Sequence, residues 1–264
     1  MAADILERIA ADKRIQVAEE KKAVSLEEMK AMALVTESSL PEFIFEETLK
    51  KEGISFICEV KKASPSKGII AEDFPYVEIA KAYEKAGADC LSVLTEPQYF
   101  LGCDQYLSQI REAVKLPILR KDFIVDIYQI YQAKVIGANA VLLICALLDE
   151  AFMKECIEIC DKLGLTALVE AHDQEEIRMA VYAGARVIGV NNRNLRDFTV
   201  DIHNSTRLRE FAPQGTLFVA ESGIKTREDV KVFEDERVNA VLVGETLMRA
   251  EDKGEMLAYL RGNR

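Results

Sequence analysis

Eight short runs of β-branched and apolar residues recur along the chain, each followed by a stretch with helical spacing. They cover 54–61, 89–95, 117–122, 139–144, 166–170, 187–191, 216–221 and 240–243. Nearly continuous apolar runs of this length fit strands buried on both faces, and their alternation with helices implies a parallel sheet covered by those helices. Eight such units in 264 residues predict an α/β fold, a (β/α)8 TIM barrel. In a barrel of this kind catalytic groups gather at the carboxyl ends of the strands, so the polar residues there carry the functional information.

The helical stretches have legible stops. Ile79, Ala80 and Tyr83 trace one helix that ends at Gly87, and Ala-Gly-Ala returns at 183–185, with a related pair at Gly137-Ala138. These glycines are expected to end helices before the next strand and are assigned no chemistry. The first fifty residues lie outside the repeat. Ser25 followed by Glu28 is a capping-box signature for a helix from Leu26, Ile5, Leu6 and Ile9 mark an earlier amphipathic helix, and 41–51 holds a further short one with Phe43, Phe45 and Leu49. The expected organisation is one barrel domain over 1–264, with 1–50 as an N-terminal helical extension. That extension is expected to be a lid over one barrel end rather than a wall of the substrate pocket.

Composition narrows the partners. Hydrophobic residues make up 49% and charged residues 30%, with no uninterrupted apolar stretch of membrane-spanning length, which suits a soluble, cytoplasmic enzyme. A net charge of −11 argues against nucleic acid, whose phosphates need a cationic surface. It leaves room for a small anionic ligand, because a local cluster of cations and backbone N–H groups outweighs a distant field. Of the six cysteines, Cys58, Cys90 and Cys145 fall in strand-like runs and no CxxC is present, so buried reduced thiols are expected. Cys156 and Cys160 share a helix face. With only His172 and His203 available as further ligands, core packing is the expected explanation there, and no metal is expected.

The strand ends hold the candidate chemistry. Alternation puts Glu59 and Lys61 on one face, toward the barrel interior, where two charges must pair or serve a ligand. The turn that follows, Ser64-Pro65-Ser66-Lys67-Gly68, offers hydroxyls, N–H groups and a mobile cation. Lys121 ends the third run, Glu170 the fifth and Asn191 the sixth, followed by Asn192 and Arg193. An ammonium and a carboxylate facing each other across a barrel mouth can divide proton transfer between them. The last two runs end in Glu221-Ser222-Gly223-Ile224 and Gly244-Glu245-Thr246. Loops in these positions bind phosphate in many barrels, and glycine permits the close backbone approach this requires. The side chain of Glu245 is expected to point away from such a phosphate.

These residues resemble the indole-3-glycerol-phosphate synthase family. The specific elements are Glu59-Val60-Lys61 with the 64–68 turn, Leu119-Arg120-Lys121-Asp122-Phe123, Val169-Glu170, Asn191-Asn192-Arg193 and Glu221-Ser222-Gly223-Ile224, with 244–248 a looser match. The resemblance covers the helical extension and all eight units. It implies conversion of 1-(2-carboxyphenylamino)-1-deoxyribulose 5-phosphate to indole-3-glycerol phosphate, carbon dioxide and water in tryptophan biosynthesis, with no cofactor. It also implies roles: Lys121 as the acid that protonates the ketone, Glu170 as a proton carrier in the dehydration, and Glu59, Lys61 and Asn191 as orienting groups, with Glu221 and Ser222 in the catalytic set. Ser64 and Arg193 would meet the substrate, Arg193 at its carboxylate. Phe100, Phe123, Leu142 and Leu242 would pack on the anthranilate ring. Lys61, Ser222, Gly223, Gly244 and the backbone of Glu245 would hold the phosphate. Other enzymes of the tryptophan pathway are the partner proteins it suggests. Two other readings of the same residues stay open: an aldolase or isomerase acting on a sugar phosphate, with Lys121 forming a Schiff base or Glu170 abstracting a carbon-bound proton, and a phosphate-metabolite binding protein without turnover.

Overall fold

The computed structural model describes residues 5–194 and 198–263. Among these described residues ten strands occur: β1 (Ser55–Val60), the two-residue strands β2 (Ala63–Ser64) and β3 (Gly68–Ile69), β4 (Cys90–Leu94), β5 (Ile118–Lys121), β6 (Ala140–Ile144), β7 (Thr166–Ala171), β8 (Val187–Asn191), β9 (Leu217–Glu221) and β10 (Ala240–Val243). β2 and β3 form a small antiparallel hairpin, and the other eight close into a parallel barrel in chain order. Closure pairs the first strand with the last, in the register Ser55↔Ala240 to Cys58↔Val243. Each expected run coincides with one of these eight strands, and the ends agree within one residue. Cys145 departs from its expected place, lying in a 3-10 turn, Cys145–Leu147, just past β6.

The helices are α1 (Ile5–Ala23), α2 (Leu26–Val35), α3 (Ile44–Leu49), α4 (Tyr76–Lys85), α5 (Asp104–Ala113), α6 (Tyr128–Val135), α7 (Glu150–Leu163), α8 (Gln174–Ala183), α9 (His203–Arg209), α10 (Arg227–Asp235), α11 (Glu245–Arg249) and α12 (Lys253–Arg261). The capping box forms at α2, with Ser25 Oγ accepting from the Glu28 N–H and Glu28 accepting from the Ser25 N–H. Gly184 ends α8 at φ 95°, a left-handed conformation that a side chain would strain. Cys156 and Cys160 are buried free thiols on α7, as a core face requires.

The period of two along each strand sorts side chains into two cores. Phe56, Leu91, Val141, Val169, Ile188 and Phe218 point outward into the layer shared with the helices. Ile57, Leu119, Leu142, Leu168, Val187, Val219 and Leu242 point inward and fill the barrel. The extension reaches both ends of that barrel. Phe45 and Leu49 of α3 join the interior cluster, and the Glu46 N–H donates to Thr166 Oγ1 at the start of β7, so α3 plugs the amino end. α1 lies across the carboxyl end. Its Lys13, 2% exposed, pairs with the buried Asp122 just past β5 at 2.8 Å, while Asp12 accepts from Tyr99 Oη at 2.6 Å.

Candidate active site

Two residues beyond an inward apolar position lies the next inward position, and on six strands that is where the barrel wall becomes polar or bare. Ile57 is followed by Glu59, Leu119 by Lys121, Leu168 by Glu170, Val219 by Glu221 and Leu242 by Gly244. Val187 is followed by Gly189 and then Asn191. All but Gly189 line a single cavity of about 550 Å³ at the carboxyl end of the barrel. Strand pleating therefore delivers groups from six different strands to one place, each seated on a packed apolar layer.

Lys121 stands at the centre of the charged group. Its ammonium is 3.3 Å from Glu221 and 3.4 Å from Glu170, and Lys61 pairs with Glu59 beside it. Burial disfavours the ammonium of Lys121, but Glu221, Glu170 and Glu59 together outweigh burial and hold its pKa above the ordinary lysine value. The two carboxylates on Lys121 diverge. Burial would also keep Glu170 protonated, yet Lys121 and His172 overcome it and hold the carboxyl well below its ordinary range. For Glu221 burial prevails over Lys121, and the repulsion from Glu170 adds to it, so its pKa is pushed up to about 7. The Oε1 atom of Glu221 is buried without a hydrogen-bond partner, which agrees with a carboxyl that resists ionisation. Asn191 donates weakly to Glu170 at 3.4 Å and accepts from the Arg193 N–H at 3.0 Å.

Two glycines make room for these acids. A Cβ on Gly189 would collide with Glu221 Oε1, and one on Gly244 would collide with Glu59 Oε2 and stand 3.0 Å from Lys61 Nζ. Close approach explains both glycines, though the approaching groups are side chains of the protein itself.

One flank of the cavity is apolar. Phe100 and Phe123 lie with ring centroids 5.9 Å apart, and Leu142 and Leu242 contribute from the barrel interior. Ile5, Leu6 and Ile9 of α1 also line the cavity. Elsewhere Ser64, Arg193, Ser222, Gly223, Gly244 and Glu245 line the wall. Ser222 and Gly223 are successive left-handed residues, at φ 67° and 87°. That conformation is unfavourable for serine by roughly 1 kcal/mol, and strain of this kind is concentrated where function demands it. The Glu245 carboxylate turns to Arg249 at 3.1 Å and Lys67 at 3.6 Å, and the Thr246 hydroxyl donates to the Ile224 carbonyl at 2.6 Å. Among the described residues no group of three or more His, Cys, Asp or Glu side chains is placed to hold a metal ion, and no helix is long and apolar enough to cross a membrane.

The family profile described as indole-3-glycerol phosphate synthase matches residues 6–260. The chain belongs to the indole-3-glycerol phosphate synthase family. It is 55% identical to an indole-3-glycerol phosphate synthase of Ruminiclostridium cellulolyticum over 259 residues, 98% of this chain and 99% of that one. To the synthase of Endomicrobium trichonymphae it is 56% identical over 217 residues, 82% of this chain and 84% of that one. Among solved structures, a chain of the tryptophan synthase α2β2 complex from Pyrococcus furiosus shares the fold at 15% identity with a TM-score of 0.59, covering 79% of this chain and 98% of that one. A thiamine phosphate pyrophosphorylase from Pyrococcus furiosus does so at 16% identity and 0.58, covering 79% and 94%. The activity that accompanies the synthase family is that of a carboxy-lyase in tryptophan biosynthesis.

Every residue singled out from the sequence for this synthase chemistry lies on the cavity wall. Asn192, quoted with the Asn191-Asn192-Arg193 motif, does not. It is buried behind the wall, donating to the Ser222 carbonyl at 3.1 Å and accepting from Ser205 Oγ at 2.7 Å, and so braces the end of β8 against the end of β9. Sequence reasoning missed the α1 residues, the space-making role of Gly189 and the contact of His172 with Glu170. A glycine inside an otherwise apolar strand pattern is itself a signal of close approach. His172 is two residues beyond Glu170, and that spacing was the available clue. For α1 the pattern gives an apolar face but not the surface it meets, and the extension both caps the barrel and walls the cavity.

Proposed function

We propose that this cavity performs the synthase reaction on 1-(2-carboxyphenylamino)-1-deoxyribulose 5-phosphate with the following division of labour. The anthranilate ring packs between Phe100, Phe123 and the leucines under α1, with Arg193 at its carboxylate. The phosphate lies at the opposite wall, against the backbone of Ser222, Gly223, Gly244 and Glu245, with Lys61 near it. A small phosphorylated anion suits a cavity that gathers Lys61, Lys67, Lys121 and Arg193 in a chain that is acidic as a whole.

The aromatic carbon bearing the carboxylate attacks the ketone carbon, and the carbonyl electrons move to oxygen, which takes a proton from Lys121. The bond to the carboxylate then breaks, and its electrons restore the ring as carbon dioxide departs. In the dehydration the new hydroxyl takes a proton from the Glu221 carboxyl and leaves as water. Glu170, held as a carboxylate, accepts the proton lost from the carbon next to nitrogen. Glu59 orients Lys61, and Asn191 steadies Glu170. The observation that carries this assignment is Lys121 bridging Glu170 and Glu221, carboxyls whose environments drive their pKa values apart.

The aldolase reading is disfavoured by the same contacts. A Schiff-base lysine must first lose its proton, and the carboxylates around Lys121 oppose that loss. The test is incubation with the carboxyphenylamino deoxyribulose phosphate while indole fluorescence is followed, in wild type and in Lys121→Met. Indole formation by wild type, with a Lys121→Met variant that binds substrate and does not turn over, is expected. A borohydride-trapped adduct on Lys121 would overturn the assignment.

A further inference from the structure

Behind Glu170, outside the cavity wall, the ring of His172 is held between two carboxylates. Its Nε2 is 3.3 Å from Glu170 Oε1, an ion-pair contact out of hydrogen-bonding alignment, and its Nδ1 is 3.0 Å from Glu176 Oε2. The same Glu176 oxygen accepts the His172 backbone N–H at 2.7 Å, so residue 172 is gripped twice from the first turn of α8.

The surrounding charges are specific. On α8, Asp173 is committed to capping through the Glu176 N–H. On the 3-10 turn after β6, the Cys145 thiol donates to the Glu176 carbonyl. Across the mouth, Lys121 on β5, Asn191 on β8 and Glu221 on β9 surround Glu170. The cations beside Glu170 are thus Lys121 on the substrate side and His172 behind it. Burial disfavours an imidazolium, but the contacts with Glu170 and Glu176 outweigh it and raise the His172 pKa to about 10.

We propose that His172 and Glu176 form a positioning dyad, in which the imidazolium anchored by Glu176 keeps Glu170 a carboxylate and aimed into the cavity throughout the catalytic cycle. The inference rests on the reading of Glu170 as a proton acceptor. Once Lys121 has given its proton to the ketone oxygen it is neutral, and Glu170 loses the charge that opposed its desolvation on that side. A buried carboxylate so abandoned would take up the next available proton and be spent before dehydration. A second cation that never meets the substrate prevents this.

The chain has two histidines, His172 and the exposed His203, so 15N-histidine labelling reports His172 directly. In wild type its ring should stay doubly protonated to pH 9. In Glu176→Gln, which keeps the side-chain shape, its titration should fall by about one pH unit or more, the size expected when a paired charge is removed. His172→Gln should move the acid limb of the kcat profile upward by about one unit, so that kcat falls by about tenfold on that limb, and leave KM within about threefold. A His172 ring that is neutral at pH 7.5 in wild type would overturn the dyad. So would a kcat loss in His172→Gln that is equal at every pH, or a profile superimposable on wild type. Should His172→Gln fail to fold, the labelled wild type and Glu176→Gln still decide the matter. Glu170→Gln separates the two levels of argument. Normal turnover there removes the proton-acceptor role and the dyad with it, whereas an inactive Glu170→Gln beside an unaltered His172→Gln removes only the dyad.

Discussion

The carboxylate of Glu221 on β9 occupies the space where a side chain at Gly189 on β8 would stand. The two strands are paired with Gly189 opposite Val219 and Asn191 opposite Glu221, so the void and the acid that fills it are set by one register. Gly189→Ala should therefore push Glu221 off Lys121 without entering the cavity itself. Displacing a catalytic group by about 1 Å can cost about 10²-fold in turnover. We expect kcat to fall by that order while circular dichroism stays native, and an unchanged kcat would show that the Glu221–Lys121 contact is dispensable.

Gly244 and Gly223 should respond differently to alanine although both border the proposed phosphate position. At Gly244 the new methyl meets Glu59 and Lys61, so kcat should drop together with affinity. At Gly223 it meets Val200 Cγ1 at 2.6 Å in a left-handed backbone, so the loop shifts and the effect should appear in KM and in the inhibition constant of inorganic phosphate. Steady-state kinetics with phosphate as a competing anion distinguish the two. Equal patterns in both variants would contradict this division.

Glu221 should lower the heat stability of the protein in mildly alkaline solution. Its folded pKa, about 7, lies above the ordinary value of 4.5, so the folded state binds this proton more tightly than the unfolded chain does. The stability this brings is complete below about pH 4.5 and is lost as pH rises through about 7. Glu221→Gln cannot ionise, so its Tm should exceed that of wild type at pH 8, and the gap should close toward pH 4.5. A wild-type advantage at pH 8 would mean that the ion pair with Lys121 outweighs desolvation.

Lys13→Met tests the anchoring of α1. Removing one partner of a buried pair leaves the other charge uncompensated, at a cost of about 3 kcal/mol. That corresponds to a fall in Tm of roughly 6–12 °C for a chain of this size. Burial opposes ionisation of Asp122, but Lys13 and then Arg120 hold its pKa below the ordinary carboxylate value. Its contribution to stability is present above that ordinary value and is lost as pH falls through the folded pKa. The difference between Lys13→Met and wild type should accordingly be full at pH 7 and shrink below about pH 4. A pH-independent difference would assign the loss to packing instead.

The barrel was legible in the sequence because each strand repeats one local rule, mostly apolar residues at the inward positions, and the charged groups stand where that row ends. Glu59, Lys61, Lys121 and Glu170 could be named as one set on this ground, whereas Glu221 joined them through the family resemblance. What lay beyond the sequence are relations between segments that no local period encodes. The spacing of Ile5, Leu6 and Ile9 predicts a helix face but not that it lines the same cavity as Phe100 and Phe123. Nothing near Lys13 points to Asp122. The Glu170–His172 spacing suggests a shared face, yet the turn into α8 carries the imidazole behind the carboxylate rather than beside it in the cavity.

The bond between Lys13 and Asp122 also bears on how the chain reaches this fold. During synthesis α1 emerges before the barrel, yet its apolar face and its buried cation find their partners only after about a hundred further residues, and β1 waits for β10 to close the ring. Contacts so distant in sequence make folding slow. Through that interval α1 is an adhesive surface without a counterpart, so the nascent chain is most exposed to aggregation before the strand bearing Lys121 has been made.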